Sequence, residues 1–171
     1  MNDAKPAVVY EGEHLVFVKS PSWEWVERRR APHATFVFAL TEADELLVTE
    51  EYCDPVRARV LSLPAGVVGD ERPESPEEAA RRELREETGY AAGKLEKLAE
   101  GPTSSGVSSE IATMFRARGV RREGPPRGEE RGRILLHVVP RVEVPDWLSR
   151  EERKGKLVDP KLWAALFLAS R

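Results

Sequence analysis

A single cysteine, Cys53, and two methionines leave the chain almost without sulfur. One thiol closes no internal disulfide, so the fold must rest on its own core, in a reducing compartment. Apolar stretches are short: the longest, Leu162–Ala169, is far below the roughly 20 residues that cross a bilayer as a helix. The opening MNDAKPAVVY has neither the basic segment nor the apolar run of a secretory leader. Excess charge is missing too, since 27 Lys and Arg face 30 Asp and Glu for a net charge of −3. That balance gives no general attraction to nucleic acid or to anionic membranes. These absences lead to the expectation of a cytoplasmic protein. With 171 residues, the chain can bury a core without disulfide or metal staples.

The most informative stretch is Leu63–Tyr90, LPAGVVGDERPESPEEAARRELREETGY. Ser75 suits an N-cap, Pro76 the first helical position, and Glu78 completes a capping box. Gly89 stands where a helix stops. Ala79, Ala80 and Leu84 share an inward face, while Glu83, Glu86 and Glu87 crowd a neighbouring one. Residues three and four apart on a helix have Cβ atoms roughly 5–6 Å apart, so Glu83 stands beside both other glutamates. Arg81, Arg82 and Arg85 allow a bland reading in which all these charges decorate a solvated face. A hard divalent cation with oxygen ligands is the other way to relieve the repulsion.

The order of residues favours the second reading. Arg82-Glu83-Leu84-Arg85-Glu86-Glu87-Thr88-Gly89-Tyr90, with Glu74 eight positions before Arg82, resembles the signature of the nudix hydrolases. Gly66 precedes Glu74 by eight positions rather than the usual six, and Tyr90 replaces an aliphatic residue. The resemblance implies a nudix-type α/β/α sandwich with a mixed sheet. It also implies cleavage of a nucleoside diphosphate linked to another moiety, with Mg2+ or Mn2+ as cofactor. Glu83 and Glu87 are the implied principal ligands, with Glu86 shared or water-linked and the Ala65 carbonyl completing a site. Arg82 is read as orienting the carboxylates, and Gly66 and Gly89 as backbone punctuation.

Along the chain, Val8–Tyr10 and Leu15–Lys19 read as a β-hairpin, with Trp23–Arg29 continuing in extended form. Trp23 and Trp25 then share one face. Thr35–Leu40 and Glu45–Glu51 read as strands paired across a Thr41–Asp44 turn. Leu95–Ala99, Ile111–Val120 and Ile134–Pro140 read as further strands, and Arg121–Arg133 as a mobile loop. One helix is expected near Asp146–Lys154. Another begins at Pro160, with Leu162, Trp163, Leu166 and Phe167 as its apolar stripe. Residues 1–31 thus form an N-terminal antiparallel β segment, a candidate dimer-swapping element, ahead of a hydrolase domain over 32–171. Strands around a central helix, with helices at the end, point to the α/β class independently of the resemblance.

Looser motifs resemble the ADP-ribose pyrophosphatase-like branch. WEWVERR is similar to a strand whose tryptophan stacks on the base and whose arginine meets phosphate, which implies such roles for Trp23 and Arg28. The branch often forms a domain-swapped dimer, implying a homodimer here. Ser104–Glu110 (SSGVSSE) resembles a substrate-binding loop, with Gly106 at its glycine. Three glutamates stand as alternatives for the general base: Glu129 and Glu130 in an acidic loop, and Glu110. Two departures bear on the substrate: Cys53 stands where relatives carry a phosphate-binding arginine, and Ser62 where they carry glutamate. ADP-ribose is the leading substrate. FAD, dinucleoside polyphosphates and nucleotide sugars or alcohols are alternatives within the same chemistry. A nucleotide-sensing or RNA-binding module that has lost catalysis is the alternative of another class.

Overall fold

The computed structural model describes residues 5–70, 72–126 and 134–170. Strands β1 (Ala7–Glu11), β2 (Leu15–Lys19) and β3 (Glu24–Arg28) form a separate antiparallel sheet in that order. The hairpin is as expected, but the third strand begins one residue later than the extended reading. Trp23 instead closes the turn into β3: its amide donates to Ser20 Oγ at 3.1 Å and its carbonyl accepts from the Ser20 amide at 2.8 Å. Trp25 and Glu27, two apart on β3, do share a face, with Trp25 Nε1 donating to Glu27 Oε1 at 2.7 Å.

The main sheet is built around β4 (His33–Thr41). On one side β10 (Ile111–Arg122) runs parallel to it, followed by β9 (Lys94–Pro102) antiparallel to β10, with the short β8 (Tyr90–Ala91) also pairing β10. On the other side β7 (Ala65–Val67) pairs antiparallel with Ala34–Phe36 of β4. The expected hairpin between β4 and β5 (Glu45–Cys53) has one register pair, Leu40 with Leu46. The strands splay beyond it, and β5 pairs instead with β6 (Ala58–Ser62) and β11 (Ile134–Pro140). A last short strand, β12 (Leu157–Val158), runs parallel to β6, so Ile134–Pro140 is not the final strand. Arg121 and Arg122 belong to β10, and residues 127–133 of the expected mobile loop lie outside the described residues.

Alternation along β4 assigns the layers. Val37 and Ala39, fully buried, join Leu47, Phe115 and Ala117 under the central helix α1 (Pro76–Thr88). Phe38 points the other way, into a cluster with Leu46, Val48, Leu61 and Met114. That cluster is closed by Val144 and Leu148 of α2 (Val144–Arg153) and by Leu162 and Ala165 of α3 (Pro160–Ala169). Helix, mixed sheet and helix pair therefore form the expected α/β/α sandwich, with the small antiparallel sheet ahead of it. The stripe on α3 needs correcting. Leu162 and Ala165 are its buried residues, whereas Trp163 and Phe167 are 38% and 59% exposed. The helix is apolar nearly all round, so sequence periodicity did not single out its inner face.

Candidate active site: the carboxylates of the central helix

The capping signals of α1 are realised. Ser75 Oγ accepts from the Glu78 amide at 3.2 Å, and Glu78 Oε2 accepts from the Ser75 amide at 2.7 Å. Gly89 ends the helix in the left-handed region at φ 74°, where a Cβ would sit 2.3 Å from the Gly124 carbonyl oxygen. Between these stops Ala79, Ala80 and Leu84 are fully buried against the sheet. Burying a leucine side chain is worth about 1.5–3 kcal/mol. That packing fixes the rotation of the helix, and so the direction in which its glutamates face.

Two of them face β7 at close range. Glu87 Oε2 accepts a hydrogen bond from the Ala65 amide at 3.0 Å. Glu83 lies directly against Gly66, where a Cβ would come within 1.9 Å of Glu83 Oε1. Only glycine leaves room for that carboxylate. Burial pushes the Glu83 carboxyl up to about 7, against the opposing pull of Arg82. Burial pushes Glu87 up to about 8, partly offset by the Ala65 hydrogen bond and reinforced by the charges of Glu83, Glu51 and Glu86.

Arg82 ties this group to the loop before the helix. Its Nη2 donates to Glu74 Oε1 at 2.7 Å and to the Val67 carbonyl at 3.2 Å, and its Nη1 donates to Glu83 Oε1 at 2.7 Å. Glu86 Oε2 lies 3.5 Å from the same Nη1. Glu74 is nearly buried and also accepts from the Gly69 amide at 3.2 Å. The two extra residues between Gly66 and Glu74 therefore leave the Glu74–Arg82 pair intact. Within that loop Gly69 turns at φ 81°, in the left-handed region that favours glycine.

The family model of the NUDIX domain matches residues 30–161. The chain belongs to the nudix family. It is 38% identical over 86 residues to an ADP-ribose pyrophosphatase of Bacillus subtilis (strain 168), covering 50% of this chain and 45% of that protein. To a methanol dehydrogenase activator of Bacillus methanolicus it is 36% identical over 91 residues, covering 53% of this chain and 48% of the relative. The chain thus spans about half the length of these two curated relatives. An ADP-ribose pyrophosphatase of Mycobacterium tuberculosis (strain ATCC 25618 / H37Rv) is 32% identical over 145 residues, 83% of this chain and 68% of that one. In three dimensions the nudix chain is similar to a crystal structure of an ADP compounds hydrolase, with a TM-score of 0.72 at 20% identity, covering 97% of this chain and 90% of the other. That last likeness speaks to the fold alone.

Chemically, the donor set on this nudix helix suits a hard divalent cation: Glu83, Glu86, Glu87 and the Ala65 carbonyl all offer oxygen. Among the described residues, no three acidic, histidine or cysteine side chains are grouped closely enough to hold a metal in the arrangement shown. Arg82 draws Glu83 toward the loop, and the Ala65 amide holds Glu87 at the strand. Two carboxylates kept out of water with their pKa values raised are groups that a cation would recharge.

The remaining expected residues fall into three places. Arg28 and Glu110 are hydrogen-bonded to each other, so the candidate phosphate ligand and one candidate base are paired. The Ser104–Glu110 loop docks on β3, with the Val26 amide donating to the Val107 carbonyl at 2.9 Å and the Ser109 amide to the Val26 carbonyl at 3.1 Å. Trp23 and Gly106 line one open hollow with Lys19–Glu24, and among the described residues no α1 glutamate lines it. Arg28, Arg29 and Arg30 line another, of about 390 Å³, with Val67 and Asp70. Asp70 lies 3.6 Å from Arg82, which links that basic hollow to the acidic helix. Glu129 and Glu130 lie outside the described residues.

Sequence reading missed Glu51. It follows Leu47 and Thr49 at the two-residue spacing of β5, on the face toward α1, and its charge reaches Glu87. Strand alternation from Leu47 was the signal available.

Proposed function

We propose that this nudix protein hydrolyses the pyrophosphate bond of a nucleoside diphosphate derivative, with ADP-ribose as the leading substrate. The observation that carries the reading is the pair Glu83 and Glu87, desolvated against the backbone of β7 with Gly66 making the space. Mg2+ or Mn2+, when bound, supplies charge neutralisation of the diphosphate and an acidified water. Glu83, Glu87 and Glu86 would hold it, with the Ala65 carbonyl as a further oxygen ligand. Arg82, fixed by Glu74, sets the direction of Glu83. Water adds across the bridge, so ADP-ribose and H2O give AMP and ribose 5-phosphate, with protons released to solvent. The matched relatives from B. subtilis and M. tuberculosis are ADP-ribose pyrophosphatases, which favours this substrate within the class.

Residues 1–31 serve, in this reading, as a substrate and dimer element ahead of the catalytic domain at 32–171. Trp23 offers an exposed aromatic face for a base, a contact worth about 1–3 kcal/mol. Arg28 meets a phosphate by exchanging Glu110 for it, and Gly106 shapes the adjoining loop. Glu129 or Glu130 is the preferred base, for their resemblance to the acidic loop that supplies it in ADP-ribose pyrophosphatases, with Glu110, released by that exchange, as the alternative. Val8, Val9 and Tyr10 leave an apolar strand more than half exposed on the small sheet, which supports a homodimer. No helix among the described residues is long and apolar enough to cross a membrane, in keeping with a cytoplasmic enzyme.

The test is incubation with Mg2+ or Mn2+ and a panel of nucleotide conjugates, with products identified by mass. AMP and ribose 5-phosphate from ADP-ribose is the expected outcome. Turnover of another conjugate but not ADP-ribose would move the substrate, and no turnover of any diphosphate would reject the hydrolase.

A further inference from the structure

On the sheet face opposite α1 there is a second concavity, of about 890 Å³. Its floor is Phe38 and Leu40 of β4 with Arg116 of β10, and one wall is Trp163 and Phe167, four apart on α3. The volume is in the range of small-molecule sites. Most charges at its rim are matched. Arg118 donates to Glu96 at 2.8 Å, Arg141 to Asp44 at 2.8 Å, and Glu42 lies 3.5 Å from Arg121. Arg116 differs. It is half-buried between Phe115 and Ala117 on a strand, yet among the described residues its side chain has no hydrogen bond and no ion pair. A guanidinium cannot shed its proton to escape this situation, so its charge is left for a ligand to answer.

We propose that this groove is a ligand site, separate from the α1 carboxylates, for a small aromatic monoanion such as a carboxylate or sulfonate. The anionic group meets the Arg116 guanidinium, and the flat apolar body lies along Trp163 and Phe167. Charge complementarity selects a monoanion: among the described residues lining the groove, Arg116 is the one cation whose side chain is unmatched, while Glu42 and Asp44 at the rim are already answered by Arg121 and Arg141. The site does not depend on the hydrolase reading, because it lies on the other face of the sheet.

The probe is anilinonaphthalene sulfonate, whose fluorescence rises on apolar surfaces, titrated into the full chain. Saturable binding at one site per chain is expected. Arg116→Gln should weaken it at least about tenfold, as for the loss of a hydrogen bond to a charged group. Arg116→Lys should retain most of the binding. Phe167→Ser, at an exposed helical position, should weaken it while leaving the fold unchanged, and so keeps the test valid if Arg116→Gln does not fold. N-phenylnaphthylamine, the same skeleton without its sulfonate, should not distinguish Arg116→Gln from the parent. Equal sulfonate affinity in the parent, Arg116→Gln and Phe167→Ser would overturn the site, as would loss of binding on Tyr10→Ser in β1. Concentration-dependent association in sedimentation, abolished by Phe167→Ser, would make the groove a protein interface and also refute the proposal.

Discussion

Replacing Glu87 by glutamine separates the metal reading from a structural one, because the two predict opposite changes in stability. Without a cation, the folded carboxyl titrates at about 8, against an ordinary value of 4.5. A carboxyl raised on folding contributes stability that is complete below 4.5 and is lost as pH rises through about 8. At neutral pH the unfolded carboxyl has ionised while the folded one remains largely protonated. Each pH unit in that gap is worth about 1.4 kcal/mol, so the native glutamate weakens the metal-free fold by about 3 kcal/mol at pH 7 and by about 5 kcal/mol at most above pH 8. A neutral amide avoids this cost and can still accept from the Ala65 amide, but it buries a new NH2 group. The net expectation for Glu87→Gln in EDTA is a gain of about 1–2 kcal/mol near pH 8, or a melting temperature higher by about 2–6 °C. Near pH 5 the gain should shrink toward nothing or reverse. Metal-dependent turnover should fall at least about a hundredfold, corresponding to about 2.7 kcal/mol of barrier. Thermal melts at both pH values and a product assay complete the test. A variant that melts lower than the parent at the higher pH, or that turns over normally, would refute the reasoning.

The remaining predictions concern neighbouring groups. Gly66→Ala places a methyl where Glu83 Oε1 now lies, so turnover should drop about a hundredfold while the melting temperature changes little, the mark of a displaced catalytic group. Mg2+ binding should release protons near neutral pH, since Glu83 at about 7 and Glu87 at about 8 must ionise to bind; calorimetry in buffers of different ionisation enthalpy reads this, and equal heats would contradict it. Glu74→Gln leaves the mostly buried Arg82 without its bidentate partner, and urea unfolding should show a loss of about 2–4 kcal/mol. Lys154 and Lys156 hold Glu151 down at about 2. Stability from that group is complete above 4.5 and fades as pH falls toward 2. Acid titration of Lys156→Met should therefore show a shallower decline than the parent, and an identical curve would reject the linkage.

The local parts of this protein were legible because their causes are local. Ser75, Glu78 and Gly89 satisfy helix ends whatever surrounds them, and Ala79, Ala80 and Leu84 name an inner face by spacing alone. Three glutamates on one helical turn could be read in the same way, as could the alternating strands of the main sheet. What lay beyond reach were choices made between distant segments. The Thr41–Asp44 turn predicted a hairpin, but β7 and β10 flank β4 and leave one register pair with β5. Spacing placed no partner beside Arg28, because Glu110 is brought there by the docking of a loop on β3.

Glu51 and α3 show the same division. A strand's alternation says which residues share a face, but not which helix covers it, so Glu51 joined the carboxylates only when α1 was seen above β5. An apolar helix such as α3 has several faces that could go inward; the packing of Leu162 and Ala165 left Trp163 outside with Arg116. Sequence by itself determined the capped acidic helix, the alternating strands and the crowding of Glu83, Glu86 and Glu87 on one helix face, since these follow from backbone geometry over a few residues. Tertiary structure alone decided which carboxylates lose their water and which charges meet, because desolvation and pairing depend on atoms far apart in the chain.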